Sequence, residues 1–378
     1  MVSRLSQHQV EVISRAKAFA RDRFADGESF DRTETFPEQV WRDAGEAGLL
    51  GAFIPEVYGG RGLGFLTHTL VMEEFWRVDP GLGNILLCVF GAELLMEFGS
   101  EEQKQRWLPL LAAGKASSCC AITEPDAGSD IFGLNTLANP ADGGWAIDGS
   151  KQFITGGTRA ELILLFAVTD RENPERTLRF SFFLCERGTA GFSAEKMSGK
   201  MGIRASETAE LRLSGLIVPD RNLLGGAPGF GFSQVMYLFN VNRLFACGQG
   251  VGVAQGALDL LIQEFRKRRD LLSSQVAQYK LAEMASRVEA ARQLYWDVGA
   301  NLDAGVVDPG RIAMAKLLAG ETGVRVTRTS LGLVGATAYS TSLMSRFYRD
   351  AKIVEIYEGA KDLEKLTIAR QLLARAPL

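Results

Sequence analysis

The stretch "RDAKIVEIYEGAKDLEKLTIAR", residues 349–370, places one acid, Glu358, between Tyr357 and Gly359 at the end of an apolar helical run. Two readings are open from the residues alone: a helix-end acid in a surface ion pair, or a carboxylate kept for proton chemistry. A second candidate is the loop "CAITEPDAGSDIFG", residues 120–133, which is crowded with hydroxyls, acids and small residues. It can bring backbone N–H groups and the hydroxyls of Thr123 and Ser129 close to a polar ligand, because Ala127 and Gly128 leave room. Taken alone, it is more simply a surface loop whose Asp and Ser cap turns. A third is "SKQFITGG", residues 150–157, where Phe153, Thr155, Gly156 and Gly157 could wall a flat ring system. A tight hairpin is the simpler reading of that stretch.

These candidates must be held by larger elements. From residue 1 to about 115 the periodicity is helical, with Val10, Ile13, Ala16 and Ala20 on one face. Between about 119 and 220 the chain turns to short β-branched and aromatic stretches, "ELILLFAV", "RFSFFLCE" and "AELRLSGLIV", separated by Gly, Asp, Asn and Pro. After "LLGGAPGFGF" long helical patterns return through residue 373. Helices, then sheet, then helices argue for an α+β multidomain chain rather than a βαβ array. The expected boundaries are 1–118, 119–225 and 226–378.

Composition narrows the function. With 378 residues, 46% hydrophobic and 23% charged, the chain has material for a substantial core in two or three domains. A net charge of -3 offers no basic excess for nucleic acid, and the basic run Arg266–Arg269 is followed at once by Asp270. Five cysteines without a CxxC pair and only two histidines give no zinc-like spacing, so no metal is expected. The first residues lack a signal-peptide core, and no apolar run of about 18 residues goes without polar interruption. The expected location is the cytoplasm, with no membrane span.

Taken together, the motifs resemble the acyl-CoA dehydrogenase family over nearly the whole chain. The carrying stretches are "AITEPDAGSDIFG" at 121–133, "QFITGG" at 152–157, "KMGIRASETAEL" at 200–211, "VPDRNLLG" at 218–225 and "RDAKIVEIYEG" at 349–359. The resemblance implies an N-terminal helical domain, a middle β-barrel-like domain and a C-terminal four-helix bundle, with FAD between sheet and bundle. It implies that Glu358 is the base that takes the α-proton of an acyl thioester, while the β-hydrogen leaves as hydride to flavin N5. A desolvated carboxylate suits that task, and the electron chemistry belongs to the cofactor. The backbone N–H of Glu358 and a ribityl hydroxyl of FAD are the implied donors to the thioester carbonyl.

By the same resemblance Thr123 and Thr155 hydrogen-bond the flavin ring, Phe153 packs on it, and Ser129 lies near the flavin and the substrate's thioester and pantetheine arm. Arg243, Tyr357 and Gly359 are further substrate contacts. Leu86 lies in the acyl-pocket floor, residues 84–95, where a dicarboxylate-specific relative places an arginine, so an anionic acyl tail is not expected. Some relatives keep the base at the position of Asn242; asparagine cannot serve, which leaves Glu358 without a competitor.

The chain departs from the family on one side. The Arg-x-x-Phe-Gly turn that reaches the FAD pyrophosphate of a neighbouring subunit becomes "RKRRDLLSSQ", with Arg268 at the arginine and Leu271 and Leu272 in place of Phe-Gly. The element Gln-x-x-Gly-Gly-x-Gly-aromatic becomes "GLVGATAY", keeping Gly335 and Tyr339. Ala360 replaces a threonine common in relatives. The expectation is an FAD whose distal half is held differently. The carrier is expected to be CoA; the alternatives are an acyl-carrier-protein-tethered dehydrogenase or oxidase, and a non-catalytic acyl-thioester binding subunit that has lost FAD. The acceptor is an electron-transfer flavoprotein or oxygen, and the assembly a homotetramer or a dimer.

Overall fold

The structure, a computed structural model, describes residues 5–340 and 342–375. The N-terminal part is helical: α1 (Gln7–Arg23), α2 (Gly27–Thr33), α3 (Glu38–Glu46), α4 (Gly64–Val78), α5 (Pro80–Gly83), α6 (Ala92–Phe98) and α7 (Glu101–Ala112). Ser6 and Ser100 start α1 and α7 as capping boxes with Gln9 and Gln103, which satisfies backbone N–H groups that a helix start leaves open.

The middle part is a sheet of β1 (Ser118–Ala121), β2 (Leu137–Ala141), β3 (Gly144–Thr155), β4 (Leu162–Val168), β5 (Phe180–Glu186), β6 (Phe192–Lys196) and β7 (Thr208–Pro219). Its order is β1-β4-β2-β3-β7-β6, with β5 also on β4. The run in β4 is apolar at every position because both faces are covered. Leu162, Leu164, Phe166 and Val168 join the core shared with the helices, whereas Ile163, Leu165 and Ala167 join a second core within the β domain.

The C-terminal part comprises α8 (Gly231–Lys267), α9 (Arg269–Ser273), α10 (Gln275–Asp303), α11 (Pro309–Val334), α12 (Ala336–Tyr339), α13 (Leu343–Ala351) and α14 (Lys361–Arg375). Helix α8 is the central strut, wedged between α4 and α11. A Cβ on Gly252 would lie 2.5 Å from the Glu73 carbonyl of α4, and one on Gly250 2.6 Å from the Ala319 carbonyl of α11, so glycine is what permits the close crossing. Part of α8 is apolar enough to cross a membrane by length and composition, but 78% of that window is buried inside the protein. It is a core helix.

Candidate active site

The turn carrying Glu358 is not helical. Helix α13 stops at Ala351, a 3-10 turn covers Lys352–Glu355, and the chain then enters the left-handed region at Glu358 (φ 53°) and Gly359 (φ 103°) before α14 begins. A continuous apolar helix up to Glu358, the sequence expectation, is therefore interrupted. A side chain at 359 would be strained by the positive φ, and its Cβ, 1.9 Å from Glu364 Oε1, would force that carboxylate to move. Non-glycine residues reach this region at a cost and are kept there by their surroundings.

Those surroundings are specific. Tyr357 OH donates to Gln249 Oε1, and Gln249 Nε2 donates to Asn84 Oδ1 at 3.4 Å. Lys316 Nζ donates to the Gly359 carbonyl. Arg243 Nε donates to Glu364 Oε1 at 2.8 Å. Arg243, Tyr357, Glu358 and Gly359 are thus brought into one cluster on α8 and the Glu358 turn.

Burial pushes the Glu358 carboxyl up to about 7; Lys316 and Arg243 pull it down and Glu93 pushes it further up. Glu93 is a finding that the apolar reading of residues 84–95 missed. Leu86 is buried in a 3-10 turn of that stretch, and Glu93 on α6 is fully buried as well, with burial raising it to about 7. Its carboxylate accepts from Asn242 Nδ2 at 2.9 Å and from the Gly91 N–H at 3.1 Å. Asn242 therefore does not leave Glu358 alone: it holds a second carboxylate close by. The signal was an acid inside "FGAELL", where helical spacing offered only core.

The other cluster lies at the end of the sheet. The Gln152 N–H donates to the Thr123 carbonyl at 2.8 Å, which joins the loop after β1 to β3. Beneath it, Lys151 Nζ donates to Glu124 Oε1 and to the Ile122 carbonyl, both at 2.9 Å, and Glu124 also accepts from the N–H groups of Asn135 and Thr136. Lys151 is buried and lowered to about 8 by desolvation, which the Glu124 charge opposes. Phe153 stands at φ 60°, 60% exposed, at the register shift between Lys151 and Ile154. No tight hairpin follows it, contrary to the simpler sequence reading. Strand β3 pairs with β2 and β7, and β4 lies beyond β2.

Thr123 and Thr155 are half-buried at this edge, and their hydroxyls make no hydrogen bond among the described residues. Ser129 is exposed on the same loop. A Cβ on Gly128 would meet only Thr123 Cγ2, at 3.7 Å, and one on Gly156 only Arg159 Cγ, at 4.0 Å. An exposed aromatic, two uncommitted hydroxyls and open glycines fit a flat, hydrogen-bonding ring such as isoalloxazine. Cys120, three residues before Thr123 on β1, is buried and feels the charges of both Glu93 and Glu358.

Arg268 and Gly335 lie close to each other, where α8 and α11 end. Arg268 caps α8 and donates through Nη2 to Asp270 Oδ2 at 2.6 Å and through Nη1 to the Val334 carbonyl at 2.9 Å, next to Gly335 (φ 82°). The guanidinium is thus engaged inside its own chain.

Fold and site define a helix–sheet–helix chain with a half-buried, desolvated carboxylate in a left-handed turn and, at the end of the sheet, a shelf of hydroxyls and an aromatic. Its three parts match the acyl-CoA dehydrogenase N-terminal domain over residues 6–115, the middle domain over 119–216 and the C-terminal domain over 229–373. The chain belongs to the acyl-CoA dehydrogenase family, oxidoreductases that act on CH–CH bonds. It is 34% identical to an acyl-CoA dehydrogenase of Bacillus subtilis, over 98% of this chain and 99% of that one. Butyryl-CoA dehydrogenase from Megasphaera elsdenii superposes with a TM-score of 0.94 at 30% identity, covering 98% of this chain and 99% of that one. A glutaryl-CoA dehydrogenase from Mycobacterium smegmatis, solved in complex with FADH2, gives 0.92 at 28% identity, covering 99% and 96%.

Proposed function

We propose that this protein carries out FAD-dependent α,β-dehydrogenation of an acyl-CoA thioester to the 2-enoyl thioester. The observation that carries the reading is Glu358: a carboxyl raised to about 7 by desolvation, with no side-chain hydrogen bond among the described residues, whose charge reaches Cys120 on the strand that leads into the Thr123 loop. A base of that strength is ionised in part near neutrality and is strong enough to take a proton activated by a thioester carbonyl. The backbone N–H of Glu358 lies next to that carboxylate and can serve the carbonyl as charge develops.

Thr123, Thr155 and Phe153 would hold the isoalloxazine, with Ser129 near the thioester. Bound FAD supplies the acceptor for the β-hydride. Arg243, Tyr357 and Gly359 shape the turn against which the substrate is placed, and Leu86 belongs to the acyl side. Arg268 and Gly335 are read as holding the distal half of FAD differently from relatives, which the engagement of Arg268 with Asp270 supports. Electrons pass on to an electron-transfer flavoprotein or oxygen, and the protein works as a homo-oligomer.

The test is the visible spectrum of the purified protein before and after anaerobic addition of acyl-CoA thioesters. Flavin bands that bleach in wild type, and at least about 1,000-fold more slowly in E358Q with flavin retained, are expected for loss of a general base. Bands that bleach only with carrier-protein thioesters would move the substrate to the tethered class. A colourless protein that cannot be reconstituted with FAD would replace this reading with that of a binding subunit.

A further inference from the structure

Lys316 lies on α11 and is 1% exposed, yet it forms no ion pair within salt-bridge distance among the described residues. Among the described residues its one hydrogen bond goes to the carbonyl of Gly359, the residue after Glu358. An ammonium is costly to bury without compensation, so a lysine here needs a reason beyond filling space. The neighbouring cation, Arg243, is already committed to Glu364, a carboxylate that is itself fully buried.

We propose that Lys316 is a positioning residue for the base: anchored on the Gly359 carbonyl, its ammonium holds the left-handed turn in place and supplies the cation that keeps Glu358 ionised where the α-proton is taken. This rests on the assignment of Glu358 as the base. The geometry gives the lysine two separable tasks. The hydrogen bond restrains Gly359, the residue that follows Glu358 in the left-handed turn (φ 53° at Glu358, 103° at Gly359). The charge acts on the carboxylate.

The groups that act on Glu358 come from several elements. Glu93 on α6 opposes its ionisation; Lys316 on α11 and Arg243 on α8 favour it, Lys316 more strongly. Tyr357 beside it and the Cys120 thiol on β1 stay neutral, both raised well above their ordinary values with burial as the main cause. Glu364 on α14 lies against Arg243 and acts on Lys316, which burial lowers and the charges of Glu364 and Glu358 raise. Removing the lysine charge therefore leaves Glu358 harder to ionise, and the pH at which the base becomes competent rises.

The experiment uses holoenzyme of K316M, K316Q, K316R and E358Q, with flavin bleaching followed anaerobically across pH about 5.5–9.5. Bleaching by E358Q at the wild-type rate would remove the base assignment itself, separately from the lysine. With the base confirmed, K316M and K316Q are expected to move the inflection of the rate profile about one pH unit alkaline, so bleaching at pH about 6.5 falls about tenfold while KM stays within about twofold. K316Q keeps an N–H donor for the Gly359 carbonyl and should approach the wild-type plateau at high pH. K316M loses both tasks and should plateau lower. K316R, which keeps the charge, should restore the wild-type inflection. An unmoved inflection in K316Q and K316M, whatever the loss of rate or thermal stability, overturns the proposal, as does an alkaline shift in K316R. Where a neutral variant does not fold, K316R decides alone on the same criterion.

Discussion

Glu93, fully buried, and Glu358, half-buried, are both raised to about 7 by desolvation, and the charge of Glu93 raises Glu358 further. With Glu358 as the proposed base the sign follows: proton removal needs its ionised form, so bleaching should fall as pH drops below about 7. Replacing Glu93 by glutamine removes the like charge, and the inflection should move towards acid, opposite to the effect of removing Lys316. The isostere keeps an acceptor for only one of the Asn242 Nδ2 and Gly91 N–H donors, which should lower stability by about 1–3 kcal/mol. The pH profile of E93Q decides this; an alkaline shift would show that Glu93 does not act on the base through its charge.

At the scale of elements, the loop after β1 and the end of β3 depend on one buried ion pair. Lys151 and Glu124 are 0% and 5% exposed at their side chains, and the loop carbonyls and N–H groups of Ile122, Asn135 and Thr136 converge on them. K151M leaves the Glu124 carboxylate without its cation, a loss of about 3–5 kcal/mol for a broken buried pair. Because Thr123 and Phe153 are attached on either side of the pair, K151M should also release flavin. The ratio of visible to ultraviolet absorbance after gel filtration, set beside a thermal melt, checks both. Full flavin occupancy in a destabilised K151M would show that the pair stabilises the sheet without positioning the shelf.

The whole molecule is joined at a knot of charges on α13. Arg346 Nη2 lies 2.7 Å from Asp79 Oδ2 and Arg349 Nη2 2.6 Å from Asp31 Oδ2, both in the N-terminal part. Asp350 accepts from the Ile203 N–H of the middle domain at 2.6 Å. Burial raises Asp350 to about 7, and Asp79 adds to that. A carboxyl whose folded value is raised contributes stability that is full below its unfolded value and is lost as pH rises through about 7. D350N keeps an acceptor for Ile203 and drops the charge, so the difference in thermal midpoint between wild type and D350N should move in favour of D350N from pH about 5 to 8. Parallel midpoints across that range would exclude the role given to Asp350.

By itself the sequence determined the order helices, sheet, helices, because hydrophobic period changes from about 3.6 to 2 and back along the chain. It also singled out Glu358, Thr123, Phe153 and Thr155, since their types and neighbours carry a resemblance that survives without coordinates. The β4 run was legible as a strand but not as one buried on both faces, which depends on a second core within the β domain. Only the tertiary structure decided what stands around Glu358. Lys316, Glu93, Arg243 and Glu364 are scattered over four helices, and no local pattern marks them as neighbours. The interruption of α13 and the left-handed turn at 358–359 were likewise hidden; Lys316 and Gln249, which bond Gly359 and Tyr357, come from outside the segment. Local periodicity follows from which residues adjoin in the chain. The ionisation of a base follows from which charges surround it in space, and only the fold decides that.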